Sequence, residues 1–406
     1  RQALVVDTPL YTLPFSYDIN QPRQEVRHDL IKGSVRYTGK NHSLKLQYGN
    51  QINRRQEFGV RRGDAPNIDL ELRTQSVDLD WNHPDLGPVS AKIGVQWLQK
   101  ANDNQPGTNT VPFIPKYDEE RLGIYRIESL SVGRGLLEAG IRYDQLESEI
   151  TGREPDNTIY RNTILYRNLS GTIGWEHPVG KKGSFRSNLG TAWRAPDVAE
   201  LYRFGQHNLF IEYGLWRYTI NEDSDFVTTR EGILDQSDRE VPSEKGYKWI
   251  NTYRLNTDKL TLELTGYLNY VSNFIYSKPA GITRTARGSF VFFIYDQTDA
   301  LLWGVDASSS WTHSPQFTSG VKGSFLWSKQ LSPADFFANQ PAPQLTYQLG
   351  YQPKIDWLAA SKLQLRFDYT FEQFQHPRVI TVEDFLFAAQ QGIDRFSENA
   401  LDFDLL

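Results

Sequence analysis

The stretch KLTLELTGYLNYV, residues Lys259 to Val271, decides the fold. Leu260, Leu262, Leu264, Gly266, Leu268 and Tyr270 fall on one face of an extended chain, and Thr261, Glu263, Thr265, Tyr267 and Asn269 on the other. A period of two marks a β-strand with unlike faces, and here it outlasts the usual five or six residues. The pattern recurs elsewhere. Leu363, Leu365, Phe367, Tyr369 and Phe371 alternate with Lys362, Gln364, Arg366, Asp368, Thr370 and Glu372. Leu137, Ala139, Ile141 and Tyr143 oppose Glu138, Arg142 and Asp144, Leu44, Leu46 and Tyr48 oppose Lys45 and Gln47, and Ala91, Ile93, Val95 and Trp97 oppose Lys92 and Gln96. A face this charged cannot pack into an apolar core, whereas a water-filled or plugged lumen tolerates it.

Reading all such segments gives about fifteen or sixteen strands, each long enough for the ~9–11 residues with which a tilted strand crosses a bilayer. Short turns are expected near residues 39–41, 82–87, 133–135, 177–183, 256–258, 313–316 and 352–360. Long loops are expected near 59–67, 100–120, 148–161, 194–242, 277–287, 330–343 and 375–395. An up-and-down meander sends alternate connections to opposite ends, so this alternation gathers the long loops at one end. The sequence therefore predicts a transmembrane, antiparallel, up-and-down β-barrel. A soluble propeller or solenoid also has alternating strands, but its loops do not sort by length into two ends, and no fixed-period repeat is visible.

The composition agrees. Of 406 residues 39% are hydrophobic and 13% aromatic, with 10 Trp, 21 Tyr and 22 Phe, which suits tall strands with one apolar face. A net charge of −5 removes the electrostatic footprint of a nucleic-acid binder. The absence of Cys excludes disulfides, thiolate zinc sites and thiol nucleophiles. The longest apolar run, near residues 290–295, is far short of the ~20 residues of a spanning helix. No GxSxG, HExxH or phosphate-binding loop is present, and an enzyme is not expected.

Ala192-Trp-Arg-Ala-Pro-Asp-Val-Ala-Glu-Leu-Tyr202 resembles the FRAPxxxEL segment in the barrels of TonB-dependent outer-membrane receptors. Pro242, Ser243, Glu244, Lys245 and Gly246 resemble that family's next strand entry, and Leu264 to Ile275 the strand after it. Tyr295 to Gly304 resembles its YxQxDAxLxG step. Tyr48 to Phe58, with Gly94 to Gly107, resembles the receptor branch common in Bacteroidetes. The resemblance implies a Gram-negative outer-membrane location and active import of a scarce nutrient, above all a ferric siderophore or other metal complex, driven through TonB. It implies no cofactor and no enzymatic step. A passive porin-like or adhesin-like barrel is the alternative. The family's barrel has about twenty-two strands and an N-terminal plug. Neither a plug nor a TonB box is visible here, so residues 1–406 are read as an incomplete barrel domain, acting as a monomer among outer-membrane lipid and lipopolysaccharide.

The candidate substrate contacts lie in the long loop after the FRAP-like segment. His207 and Glu212 offer imidazole and carboxylate to a cation, although two ligands do not fix a metal, and a generic loop role stands beside that reading. Arg203, Tyr213, Trp216 and Arg217 could stack on and pair with an anionic chelate, or serve as loop packing. Arg54, Arg55, Arg61 and Arg62 form a second basic group, suited equally to lipopolysaccharide phosphate. Asp78 and Asp80 are expected to face the lumen, where plug arginines could meet them. His83, His177 and His313 sit beside turn residues, and turn chemistry accounts for them. Asp118, Glu119 and Glu120 read as a solvated junction between loop and strand.

Overall fold

In the computed structural model, residues 14–59, 64–154, 156–207, 210–220, 226–228, 234, 238–285, 288–355, 357 and 361–377 are described. Strands β1 (Arg23–Thr38), β2 (Ser43–Phe58), β3 (Ile68–Asn82), β4 (Val89–Asn104), β5 (Lys116–Val132), β6 (Gly135–Arg153), β7 (Ile159–Val179) and β8 (Gly183–Arg194) form a continuous antiparallel meander. An excursion then carries helix α1 (Val198–Tyr202) and the short strands β9 (Phe204–His207), β10 (Phe210–Tyr213), β11 (Tyr218–Ile220) and β12 (Phe226–Thr228). The meander resumes with β13 (Glu244–Asn256), β14 (Leu260–Thr285), β15 (Gly288–Thr312) and β16 (Phe317–Leu331). After the short β17 (Ala334–Phe336) it ends in β18 (Gln344–Tyr351) and β19 (Leu363–Thr370). All but β11 and β12 belong to one sheet of 17 strands.

The expected short turns stand near 39–41, 82–87, 133–135, 256–258 and 313–316; the turn expected at 177–183 is narrower, because β7 runs on to Val179 and keeps His177 in the strand, and part of 352–360 lies outside the described residues. Gly133 and Gly180, at φ 59° and 64°, supply the left-handed conformation that two of the tightest reversals need. Several expected long loops are instead tall hairpins. Residues 148–161 are mostly strand, with β6 running to Arg153 and β7 starting at Ile159, and 277–287 lie largely inside β14 and β15. Asp118, Glu119 and Glu120 likewise lie within β5 rather than at a junction. These strands run on past the bilayer: β14 and β15 hold 26 and 25 residues, where ~9–11 suffice to cross.

The alternation shows where the bilayer ends. Low on β6 and β7 the outward side chains are apolar, with Ile141, Tyr143, Leu169, Ile173 and Trp175 exposed, while Arg142 and Asp144 point inward. Higher up the phase inverts. Glu147, Glu149, Arg161 and Arg167 point outward, and Leu146, Ile150, Ile164 and Tyr166 are buried inward. On β5, outward Leu122 and Ile124 give way to Asp118 and Glu120 across the same boundary. Apolar residues thus face outward where the surroundings are lipid, and inward where a folded lobe replaces water.

That lobe is the excursion between β8 and β13. Val198, Leu201, Tyr202, Leu215, Trp216 and Val241 pack with Tyr117, Leu146, Ile150, Ile164 and Tyr166 of the strands into the largest apolar cluster. The sheet splits to admit it. β8 pairs with β7 only from Gly183 to Gly190, and above Thr172 the ladder of β7 runs to β6 alone. At the split the Thr191 hydroxyl accepts from Gly171 N at 2.9 Å and lies 3.3 Å from Gly171 O. No helix among the described residues is long and apolar enough to cross a membrane, which says nothing of strands.

Candidate functional site

Arg194, the last residue of β8, fixes the base of the lobe. Its guanidinium donates to both oxygens of Glu244 at 2.6 and 2.8 Å and to Glu200 at 2.7 Å. The fork geometry of arginine suits such paired carboxylates. Asp197 caps α1 by accepting from Ala199 N, while Glu200 accepts from Asp197 N, which completes a capping box around a five-residue helix. Glu244 also accepts from Ile275 N at 2.7 Å, so one carboxylate joins β8, β13 and β14. The FRAP-like segment is therefore a joint between wall and lobe.

Above it the chain returns beside α1. Gly214 N, Leu215 N and Trp216 N donate to the carbonyls of Arg203, Glu200 and Leu201 at 2.7, 2.8 and 2.9 Å. A Cβ on Gly214 would lie 2.4 Å from the Leu201 carbonyl oxygen, so only glycine permits this approach. Strands β9 and β10 form a hairpin, and β10 runs parallel to β15, pairing Ile211 to Tyr213 with Phe292 to Ile294.

The structure gathers the candidate residues into this lobe and partners them internally. Arg203 donates to Glu212 at 3.1 Å and to the Tyr295 hydroxyl at 2.7 Å, with its guanidinium 4.9 Å from the Phe113 ring centre. Its Nε is buried without an acceptor. Tyr213 sits edge-on to Phe292 at 5.8 Å. Trp216 is 0% exposed and donates to Arg239 O at 2.8 Å. Arg217, 4% exposed, forms a two-pronged pair with Glu154 at the tip of β6 and lies 4.3 Å over the Phe204 ring. His207 pairs with Phe210 through the backbone of the hairpin, and its side chain lies outside the described residues. Among the described residues no group of three or more His, Cys, Asp or Glu is placed to hold a metal ion. Burial pushes the Tyr218 phenol above its usual range, with Asp296 adding to the effect.

Sequence reasoning missed Glu154, Phe113 and Arg239 as members of this site. Nothing near them in the chain marks them, since they reach it from remote positions. Elsewhere Arg54 grips Asp69 at 2.9 and 3.1 Å, Arg55 pairs with Glu57, and Arg61 and Arg62 lie outside the described residues. Asp78 accepts from Gln96 at 2.8 Å, and Asp80 accepts from Tyr125 and pairs with Lys92 at 3.4 Å, so the wall itself already partners both carboxylates. Deeper in the lumen Asp144 collects Arg142 at 2.7 and 2.8 Å, Arg121 at 3.1 Å and Trp193 Nε1 at 3.1 Å.

An outward apolar face, a charged lumen and a packed lobe at the long-loop end together define a receptor-type membrane barrel. The chain belongs to the family described as TonB dependent receptor-like, beta-barrel, which it matches over residues 5–386. It is similar in fold to the copper transporter OprC, with TM-score 0.60 and 14% identity over 81% of this chain and 51% of that one. It is also similar to the ferric yersiniabactin uptake receptor FyuA from Yersinia pestis, with TM-score 0.55 and 14% identity over 85% and 49%. The alcaligin outer membrane receptor FauA from Bordetella pertussis matches with TM-score 0.55 and 12% identity over 82% and 52%. The chain thus spans about half the length of these structures.

Proposed function

We propose that this chain is the barrel portion of an outer-membrane receptor that captures a scarce nutrient, a ferric siderophore or other metal complex first, and imports it by TonB-coupled transport. Family membership supports the class. The observation that carries the reading is the lobe: a barrel built for passive flow needs an open mouth, whereas here an arginine-rich and aromatic lobe is packed into it. Arg203, Glu212, Tyr213, Trp216, Arg217 and His207 are the residues proposed to meet cargo. Two observations support an incomplete barrel: β1 and β19 each pair with a single strand among the described residues, and an open edge is not stable in lipid. In the complete protein further strands close the wall and a plug with its TonB box links it to the inner membrane. The Bacteroidetes-like assignment rests on Tyr48 to Phe58 and Gly94 to Gly107.

The test is radiolabelled-iron uptake by the native organism lacking this gene, under iron starvation and with a panel of siderophores. Uptake of one chelate that is lost, and restored by the gene only when TonB is present, supports the importer and names the cargo. Restoration without TonB supports the passive barrel instead.

A further inference from the structure

At the short-turn end, which in such barrels faces the periplasm, two ring nitrogens converge outside the wall. A Cβ on Gly135 would lie 2.9 Å from Trp175 Nε1, 3.2 Å from His177 Nδ1 and 2.9 Å from the Glu176 carbonyl oxygen, so glycine leaves a notch that both rings and this carbonyl border. The rings stack at 5.2 Å and 27°. Neither nitrogen has a hydrogen-bond partner within the protein among the described residues. Two cations stand in the turns beside it: Arg134, next to Gly135, is exposed and reaches Gly180 O at 3.3 Å, and the exposed Lys181 follows Gly180. On the same outward face Val132 pairs with Gly135, Ile173 lies above Trp175 and Val179 lies beyond His177, all three exposed apolar side chains. Donors, cations and an apolar wall therefore meet at one height, where headgroup passes into acyl chain.

We propose that Arg134, Trp175, His177 and Lys181 form a binding site for the phosphate of an anionic phospholipid in the periplasmic leaflet. An indole N–H at the interface donates without leaving the apolar layer, and guanidinium and ammonium groups complement the phosphodiester charge. The acyl chains lie along Ile173 and Val132. The proposal rests on membrane residence of the barrel and is independent of what is imported.

The test is native mass spectrometry of the full protein in detergent with phosphatidylglycerol, phosphatidylcholine or inorganic phosphate. Heat-modifiable gel mobility reports separately that a membrane barrel has formed. Phosphatidylglycerol should be retained about tenfold over phosphatidylcholine, a difference that R134Q/K181Q removes and that K40Q/K259Q, on other short turns, leaves intact. Equal retention of the two lipids by the wild-type protein overturns the proposal. So does an equal loss in K40Q/K259Q, which would reduce the effect to general rim charge. Displacement by submillimolar inorganic phosphate overturns the lipid and leaves a free-phosphate site. Trp175→Phe, which removes the indole N–H without changing charge, should weaken retention in the same direction.

Discussion

The Arg217–Glu154 pair ties the lobe to the tip of β6, and its two ends are unequally buried: the arginine side chain is 4% exposed and the glutamate 20%. Glu154→Gln therefore strands a guanidinium where water cannot reach it, at a cost of ~3–5 kcal/mol to docking of the lobe. Arg217→Met leaves Glu154 partly hydrated, and the cost falls to about 1–2 kcal/mol. Replacing both at once, as E154L/R217M, should return to within about 1 kcal/mol of the wild type, because no buried charge remains. Hydrogen exchange of backbone amides in 210–218 reads these differences, with β13 amides as the internal reference. The loss of protection should span roughly two to three and a half decades for E154Q and about one for R217M. A larger effect for R217M than for E154Q, or less than about 0.5 kcal/mol for both, would refute the claim that burial of the cation makes the pair matter.

The phase inversion predicts that Leu169→Arg, in the lipid-facing belt, costs ~2–4 kcal/mol of folding into vesicles, while Thr163→Arg above the boundary is nearly neutral, as titration with urea would show. Gly214→Ala should undock the loop beside α1, since its Cβ would meet the Leu201 carbonyl oxygen; limited proteolysis would then cut between β8 and β13 while the strands stay resistant. Burial holds the phenols of Tyr160 and Tyr218 above their ordinary range. Their stabilisation of the lobe is complete below the unfolded value of about 10 and is lost as pH rises through the raised folded value, so phenolate absorbance and loop exchange should rise together only in strong alkali. Asp144→Asn removes the anion shared by Arg121 and Arg142 and should loosen Trp193, seen as increased quenching of tryptophan fluorescence by acrylamide.

The meander was legible because lipid on one side and water on the other impose a period of two on every strand. The tall hairpins were not. Glu147, Glu149 and Arg161 look like loop residues to a reader following one apolar face, because beyond the bilayer the apolar residues move to the opposite face, as Leu146 and Ile150 do. The site was half legible. Aromatic and arginine residues within one loop announced themselves by density, but a side chain's partner carries no local mark: Glu154 lies 63 positions from Arg217, and Tyr295 lies 92 from Arg203. Only the folded sheet brings them together.

The parting of β7 from β8 above Thr172 changes what the lobe is. A stave of the wall is missing there, and in its place stand Tyr202, stacked on Tyr160 and accepting from Asn162, and the Val241 carbonyl, bonded to Tyr166. The lobe is thus lid and wall at once. A displacement large enough to uncover the mouth would also open a slot in the flank of the rim, so that access to the lumen and lateral integrity are governed by the same few contacts.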